Sequence, residues 1–499
     1  MNTSKPQEEK ARIDSSQGGS QGGGQNGQAA AQVSSQAGGQ AGSKGGSQDS
    51  SQGSIQENFI LNGNLWKVMA KLSWPAVIAM VLYGANTVLD AYFVGHFVGE
   101  DAFAGVSLAY PLATLTVALG SMVGTGAGSL LSIAIGAKDF NTQQKLIGSA
   151  NGLSLICTII FMVLALIFAE PLVRLMGGQG DMLVLGVEYF RVCTYGALFW
   201  VMGLALNMII RAEGKMVTAA WMMGAGLVIN AIANYIFIVL MNMGVEGAAW
   251  GTNVGMLAYT LFGLMYFKLN KASFKTVAFS LKMDKHVTKE IIRLGIPALL
   301  MSAMALVQAA VVFNALSEFG TAADIALYGI VNRLFNFLMT PIMGLMRASQ
   351  PVIGINFGAK QYDRTIQAYK VFSYAALILT VPFWLITFIY PEIILSSMYA
   401  ESAVSSSQLM AIRIYMSILP LLSFVLLGMT FFPAIGNSKP AGILGMARQF
   451  VFYVPVMLLV PRFFGVDSVY YASFAIDLIV TIWCMIWIKF EFKRIRQLH

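Results

Sequence analysis

Apolar residues run through this chain in stretches of about twenty, separated by short polar breaks, and each stretch is long enough to cross the roughly 30 Å hydrocarbon core of a bilayer as a helix. Within lipid every backbone N–H and C=O must find its partner inside the chain, so the pattern predicts helices only. Twelve spans are expected, near 72–95, 105–135, 146–169, 187–210, 217–241 and 247–268 in the first half. In the second half they fall near 291–317, 326–356, 366–390, 409–432, 440–461 and 466–489. The breaks are rich in Gly, Pro, Asn and Asp, as helix-ending loops are.

Charge sorts these loops into two sets. One set holds Lys138, Lys145, Arg211, Lys215, the basic stretch from Lys268 to Arg293, Lys360, Arg364, Lys439 and the C-terminal Lys489, Lys493, Arg494 and Arg496. The other holds the acids Glu100, Asp101, Asp181, Glu246, Glu318, Asp324, Glu401 and Asp467, against only Arg174 and Arg462. Lys and Arg mark the cytoplasmic side, so both termini are expected in the cytoplasm, the number of spans is even, and a bacterial-type inner membrane is the expected location. Composition agrees: 57% of residues are hydrophobic and 11% charged, against roughly 25% charged in a soluble domain. The net charge of +8 is loop asymmetry and gives no reason to invoke nucleic acid. The three cysteines, Cys157, Cys193 and Cys484, all fall inside apolar runs and read as small core residues rather than metal ligands or a disulfide framework.

The two halves repeat. Leu72-x-x-Pro75-Ala76 returns as Leu294-x-x-Pro297-Ala298, and Gly136-Ala137-Lys138 returns as Gly358-Ala359-Lys360, both at a shift of 222 positions. Arg191 and Arg413, and Gly214 and Gly436, keep the same shift. Six spans per half is an even number, so the halves are parallel and related by an axis along the membrane normal. The fold class expected is therefore an all-α polytopic membrane protein with twelve transmembrane helices in two parallel six-helix lobes. The expected organisation is a disordered Ser/Gln/Gly-rich tail over 1–58, a first lobe over 59–269, a basic linker over 270–290, a second lobe over 291–490 and a basic tail over 491–499. Two such lobes suit rocking about a central site. A membrane enzyme would need convergent catalytic groups, whereas His96, His286 and His499 fall in loops or at the terminus.

Charges inside the spans are costly and so mark cavities or partners. Asp90 in the first span is the foremost candidate, with Asn86 one turn earlier and Met80 and Tyr83 continuing the same stripe. A lone acid with amide neighbours can bind Na⁺ through oxygen ligands, or take up a proton once desolvation favours its neutral form. Asn230 and Asn234 on the fifth span and Thr252 on the sixth can join it, or serve as interhelical glue. Pro75 loosens the first span and reads equally as a hinge or a packing bend. The shift of 222 carries Asp90 to Val312 and Asn86 to Gln308, so the cation chemistry is expected in the first half only. Asp477 is a further buried acid without an evident partner, and Arg347 and Arg448 are expected near cytoplasmic ends. The 29 methionines suit a repackable apolar lining.

With the first-span proline, Asn86-x-x-x-Asp90-x-x-x-Val94-Gly95 and the paired Gly-Ala-Lys endings, residues 60–490 resemble the multidrug and toxic compound extrusion (MATE) family. The similarity is greatest to its DNA-damage-inducible (DinF) branch. The resemblance implies an antiporter that expels organic, often cationic, drugs or metabolites against H⁺ or Na⁺, with no further cofactor and as a monomer. It implies that Asp90 is the helix-1 acid of that branch and Pro75 its bending proline. It further implies that Asn230 opens the branch's helix-5 Asn-x-x-x-Asp, with Thr252 as its helix-6 threonine. Asn234 departs from the pattern, since an acid is expected there. The alternative is a lipid-linked oligosaccharide flippase of the same superfamily, which would gather several arginines around the central cleft.

Overall fold

The apolar runs among the described residues are helical, and the side chains of Asn64, Asp139, Asp284, Thr321 and Ser405 cap the starts of five helices. The computed structural model describes residues 55–392 and 405–498. The first half contains α1 (Leu65–Phe97), α2 (Glu100–Ala113) continued by α3 (Leu115–Gly136), α4 (Phe140–Ile167) and the short α5 (Ala169–Leu175). It goes on through α6 (Gly180–Tyr195), α7 (Ala197–Ala212), α8 (Met216–Asn234) and α9 (Gly244–Lys268). The second half contains α10 (Lys285–Phe319), α11 (Ala322–Gly358), α12 (Tyr362–Ile389), α13 (Ser406–Met416) and α14 (Leu419–Ala434). It closes with α15 (Lys439–Met446), α16 (Val454–Phe464) and α17 (Ser468–Arg496).

Among the described residues nine spans are long and apolar enough to cross a membrane, and the pair α6–α7, bent by 52°, makes a tenth. The remaining two expected positions are filled by α9, 25 residues, and α11, 37 residues. Both exceed the length a crossing needs but are interrupted by polar residues such as Asn253 and Thr260 in one, Arg333 and Arg347 in the other.

The repeat is visible in the packing. Across the seam between the lobes, α10 packs on α3, and α11 packs on α1 and α3. At the basic end a Cβ on Gly136 would overlap the carbonyl oxygen of Ile355, and one on Gly358 would overlap that of Ile133. Ile133 and Ile355 lie 222 positions apart, as Gly136 and Gly358 do. The two contacts are therefore one contact seen from either side of a pseudo-two-fold axis. The chain then leaves α3 and α11 the same way, through Lys138 at φ 54° and Lys360 at φ 59°.

Three expected boundaries move. Most of the predicted tail, 1–54, lies outside the described residues, but its last four residues, 55–58, are helical instead of disordered and open a helix that runs to 62. Its Gln56 donates to the Gly214 carbonyl of the first lobe at 3.2 Å, while Arg364 of the second lobe donates to the carbonyls of Ile60 (2.9 Å) and Gly63. The expected linker over 270–290 ends early, because Asp284 caps α10 by accepting from the N–H groups of His286 and Val287. Those bonds and the ammonium of Lys145, 3.0 Å away, hold the Asp284 carboxyl below the usual carboxylate range. What precedes it is fastened to the first lobe: Asn151 donates to the Ala278 carbonyl at 2.9 Å, and Glu213 accepts from the backbone N–H and hydroxyl of Ser273, both at 2.6 Å. The expected basic tail over 491–499 is a continuation of α17 as far as Arg496.

Candidate functional site

Helix α1 runs unbroken through Pro75 and carries Asn86 and Asp90 on one face. Asn86 Nδ2 donates to Asp90 Oδ2 at 3.0 Å, the one-turn spacing read in the sequence. The other carboxylate oxygen, Oδ1, accepts from Asn234 Nδ2 at 2.6 Å, across to the end of α8. Each oxygen of Asp90 is thus met by an amide N–H, which stabilises the ionised form without adding positive charge.

Asn234 reaches that position because α8 and α9 meet almost backbone to backbone. Gly247, Gly251 and Gly255 recur every fourth residue along α9 and face α8. A Cβ on Gly251 would overlap the Asn234 amide oxygen, one on Gly255 would press on Asn230 Cβ, and one on Gly247 would press on the Phe237 backbone. This stripe is the sequence signal that went unused. Directly after Asn234 the helix widens into a π-turn over Tyr235–Leu240, a distortion common at functional sites that no periodicity reveals.

Asn230, 1% exposed, does not reach Asp90. Its Nδ2 donates to Thr252 Oγ1 at 3.4 Å, and Thr252 in turn donates to the Ala248 carbonyl at 3.0 Å. Asp90, Asn86, Asn230 and Thr252 nevertheless line one small cavity, with Tyr83, Tyr110 and Tyr189 on its walls. Tyr83 belongs to the stripe read in the sequence, whereas Tyr110 and Tyr189 were not foreseen. Met80 is buried outside that space; together with Tyr83 it lines an adjoining interlobe cavity that Arg347 of α11 also lines. Among the described residues no group of three His, Cys, Asp or Glu could hold a metal ion.

The second lobe corrects a sequence expectation. Asp477 has a partner: Arg448 Nε and Nη2 bind its two oxygens at 2.7 and 3.2 Å. Arg448 lies within the eleventh span, in a second π-turn over Ala447–Tyr453, and not at a cytoplasmic end. Gln308, the counterpart of Asn86, accepts from Arg448 Nη1 at 3.0 Å and from Gln449 at 2.8 Å.

A two-lobed helical bundle with one amide-bound acid opening on a cavity defines the architecture of a multi-pass transporter. The MatE family model matches residues 75–236 and again 297–459, one match per half. This chain belongs to the MATE family, a family of membrane transporters and not of enzymes. "Multidrug export protein MepA" of Staphylococcus aureus (strain MRSA252) is 28% identical over 410 residues, covering 81% of this chain and 89% of that protein. The protein of the same name from Staphylococcus saprophyticus is 27% identical over 427 residues, covering 85% and 93%. Two solved structures share the fold. "Crystal structure of MATE in the bent conformation" has a TM-score of 0.82 at 22% identity, covering 89% of this chain and 98% of that one. "Outward-facing conformation of a multidrug resistance MATE family transporter of the MOP superfamily" has a TM-score of 0.80 at 24% identity, covering 88% and 98%.

Proposed function

We propose that this protein is a cation-coupled antiporter of the inner membrane, with both termini cytoplasmic, that exports organic drugs or metabolites by alternating access between its lobes. The observation that carries the reading is the Asp90 carboxylate, bound by two amides, without a cationic partner among the described residues, and open to a cavity. A carboxylate so placed lacks one positive charge. An incoming H⁺ or Na⁺ supplies it, and cation binding then competes with the present contacts to Asn86 and Asn234. Relatives bearing the name multidrug export protein support the cargo class. The single carboxylate and the amides already directed at it favour H⁺, since Na⁺ would require the amide oxygens to turn inward. The cationic character expected of the cargo rests on Asp90 as the acid lining the first-lobe cavity. Membership of the DinF branch rests on Pro75, Asp90, Asn230 and Thr252, with Asn234 as the departure. The protein would work as a monomer, since each lobe contact the cycle needs lies within one chain.

The flippase reading draws on arginines at the cleft. Two, Arg211 and Arg347, line it. Arg448 is occupied by Asp477, and Arg191 and Arg333 are exposed. Two arginines are fewer than that reading calls for, so the antiporter reading stands ahead of it.

The test is transport of a fluorescent organic cation in proteoliposomes under imposed pH and Na⁺ gradients. The wild type should export under one gradient, and Asp90→Asn, eluting as a folded protein, should fall to the background of empty liposomes. Normal export by that variant would rule the coupling site out.

A further inference from the structure

Between the lobes, on the side of the paired Gly-Ala-Lys endings, lies a cavity that the coupling site does not use. Methionines supply much of its wall: Met208 from α7, Met301 from α10, Met346 from α11 and Met429 from α14. Two arginines line the same space, Arg211 at the end of α7 and Arg347 within α11. Arg211 is 5% exposed, and its guanidinium reaches only the sulfur of Met223, at 4.0 Å. Neither arginine forms a salt bridge with any carboxylate among the described residues.

This arrangement is unfavourable as it stands. Two like charges in a low-dielectric interior repel, and each is costly without a counter-charge. The protein elsewhere provides one: Arg448, in comparable surroundings, holds Asp477 with two hydrogen bonds. At Arg211 and Arg347 the chain leaves the counter-charge out, and it does so beside soft, repackable apolar walls. Guanidinium groups bind carboxylates and phosphates through paired N–H donors. The missing negative charge is then a property of whatever occupies the cavity.

We propose that this interlobe cavity is an anion subsite for the cargo, taking a carboxylate, sulfonate or phosphate group of an amphipathic organic molecule. Arg211 and Arg347 hold the charge and the methionines receive the apolar body. The inference rests on the export reading above and narrows its cargo to molecules that carry an anionic group, zwitterions included. The adjoining cavity, which Arg347 also lines, leads to Tyr83 and so toward the first-lobe site. A zwitterion can therefore direct its anionic end to the arginines and its cationic end toward the side of Tyr83. A lipid phosphate offers the same chemistry, and the experiment separates the two sources.

Binding is measured by fluorescence anisotropy on the full-length protein in detergent, with two rhodamines that differ only in a free carboxylate against its ethyl ester. The wild type should bind the acid, and Arg347→Gln and Arg211→Gln should each weaken that binding about tenfold, the scale of one charge-assisted pair, while ester binding stays within about twofold. Arg347→Lys should recover part of the loss. Asp90→Asn should keep the preference for the acid, so a failed coupling site and a failed anion subsite give different results. Dioctanoyl phosphatidylglycerol is added as competitor. Arginine-dependent binding of that lipid without arginine-dependent binding of the acid dye overturns the proposal in favour of a lipid site. Unchanged acid binding in both glutamine variants overturns it, and so does an equal loss of acid and ester. Should Arg211→Gln fail to fold, the less buried Arg347→Gln decides the question alone.

Discussion

Asp90 and Asp477 are carboxylates on helices in apolar surroundings, one per lobe, and their neighbours differ in kind. Asp477 is 2% exposed and held by the guanidinium of Arg448, which also stacks over the Tyr453 ring at 4.9 Å. Asp90 is only half-buried and held by two neutral amides. An arginine fixes a buried acid in its ionised form, because removing either charge strands the other. Amides satisfy the oxygens but leave the charge uncancelled, so a small cation can come and go. On the proposed coupling reading, the same residue type is a brace in one lobe and an exchangeable site in the other, and the partner decides which.

That contrast can be broken by giving Asp90 what Asp477 has. Asn86→Arg, placed where the cavity offers room, should lower gradient-driven efflux to background while the protein stays folded, the largest effect expected; efflux at the wild-type rate would show that partner charge is not the distinction. Removing the brace comes next. Arg448→Met should destabilise the protein by about 3–5 kcal/mol, the usual penalty for stranding a buried charge, read as a fall in the thermal midpoint in detergent. Adding Asp477→Leu to it should restore most of the loss. Asn234→Ala should be milder: loss of a hydrogen bond to a charged group, about 1.5 kcal/mol, should slow gradient-driven efflux about tenfold while the protein stays folded. Gln308→Met should be the smallest, about 1 kcal/mol of stability with an unchanged pH profile.

Much of this was legible because membrane sequence is dominated by one rule. The all-helical architecture and the shift of 222 follow from apolar run length and simple self-matching, and among the described residues helices lie over the predicted positions. The Asn86–Asp90 contact was legible for the same reason, being one turn apart on one helix. Asn234 could be nominated as a polar residue in lipid, but its meeting with Asp90 spans a separation of 144 positions and depends on how closely α8 and α9 approach. The partner of Asp477 was missed because Arg448 lies on another helix, 29 positions away, at no helical spacing. The ordered start at 55–58 was missed because it adjoins the Ser/Gln/Gly tract and is too short to read alone, and the helix it opens is held by contacts with both lobes.

The reciprocal crossing of α3 and α11 bears on how such a molecule answers its environment. Where Gly136 meets Ile355 and Gly358 meets Ile133, the join is main chain on main chain, with no ionisable group in it. Neither salt, nor pH, nor membrane voltage acting on that join has anything to grip. Whatever parts the lobes there must arrive as mechanical displacement from farther along the helices, and by symmetry both halves of the join must yield together.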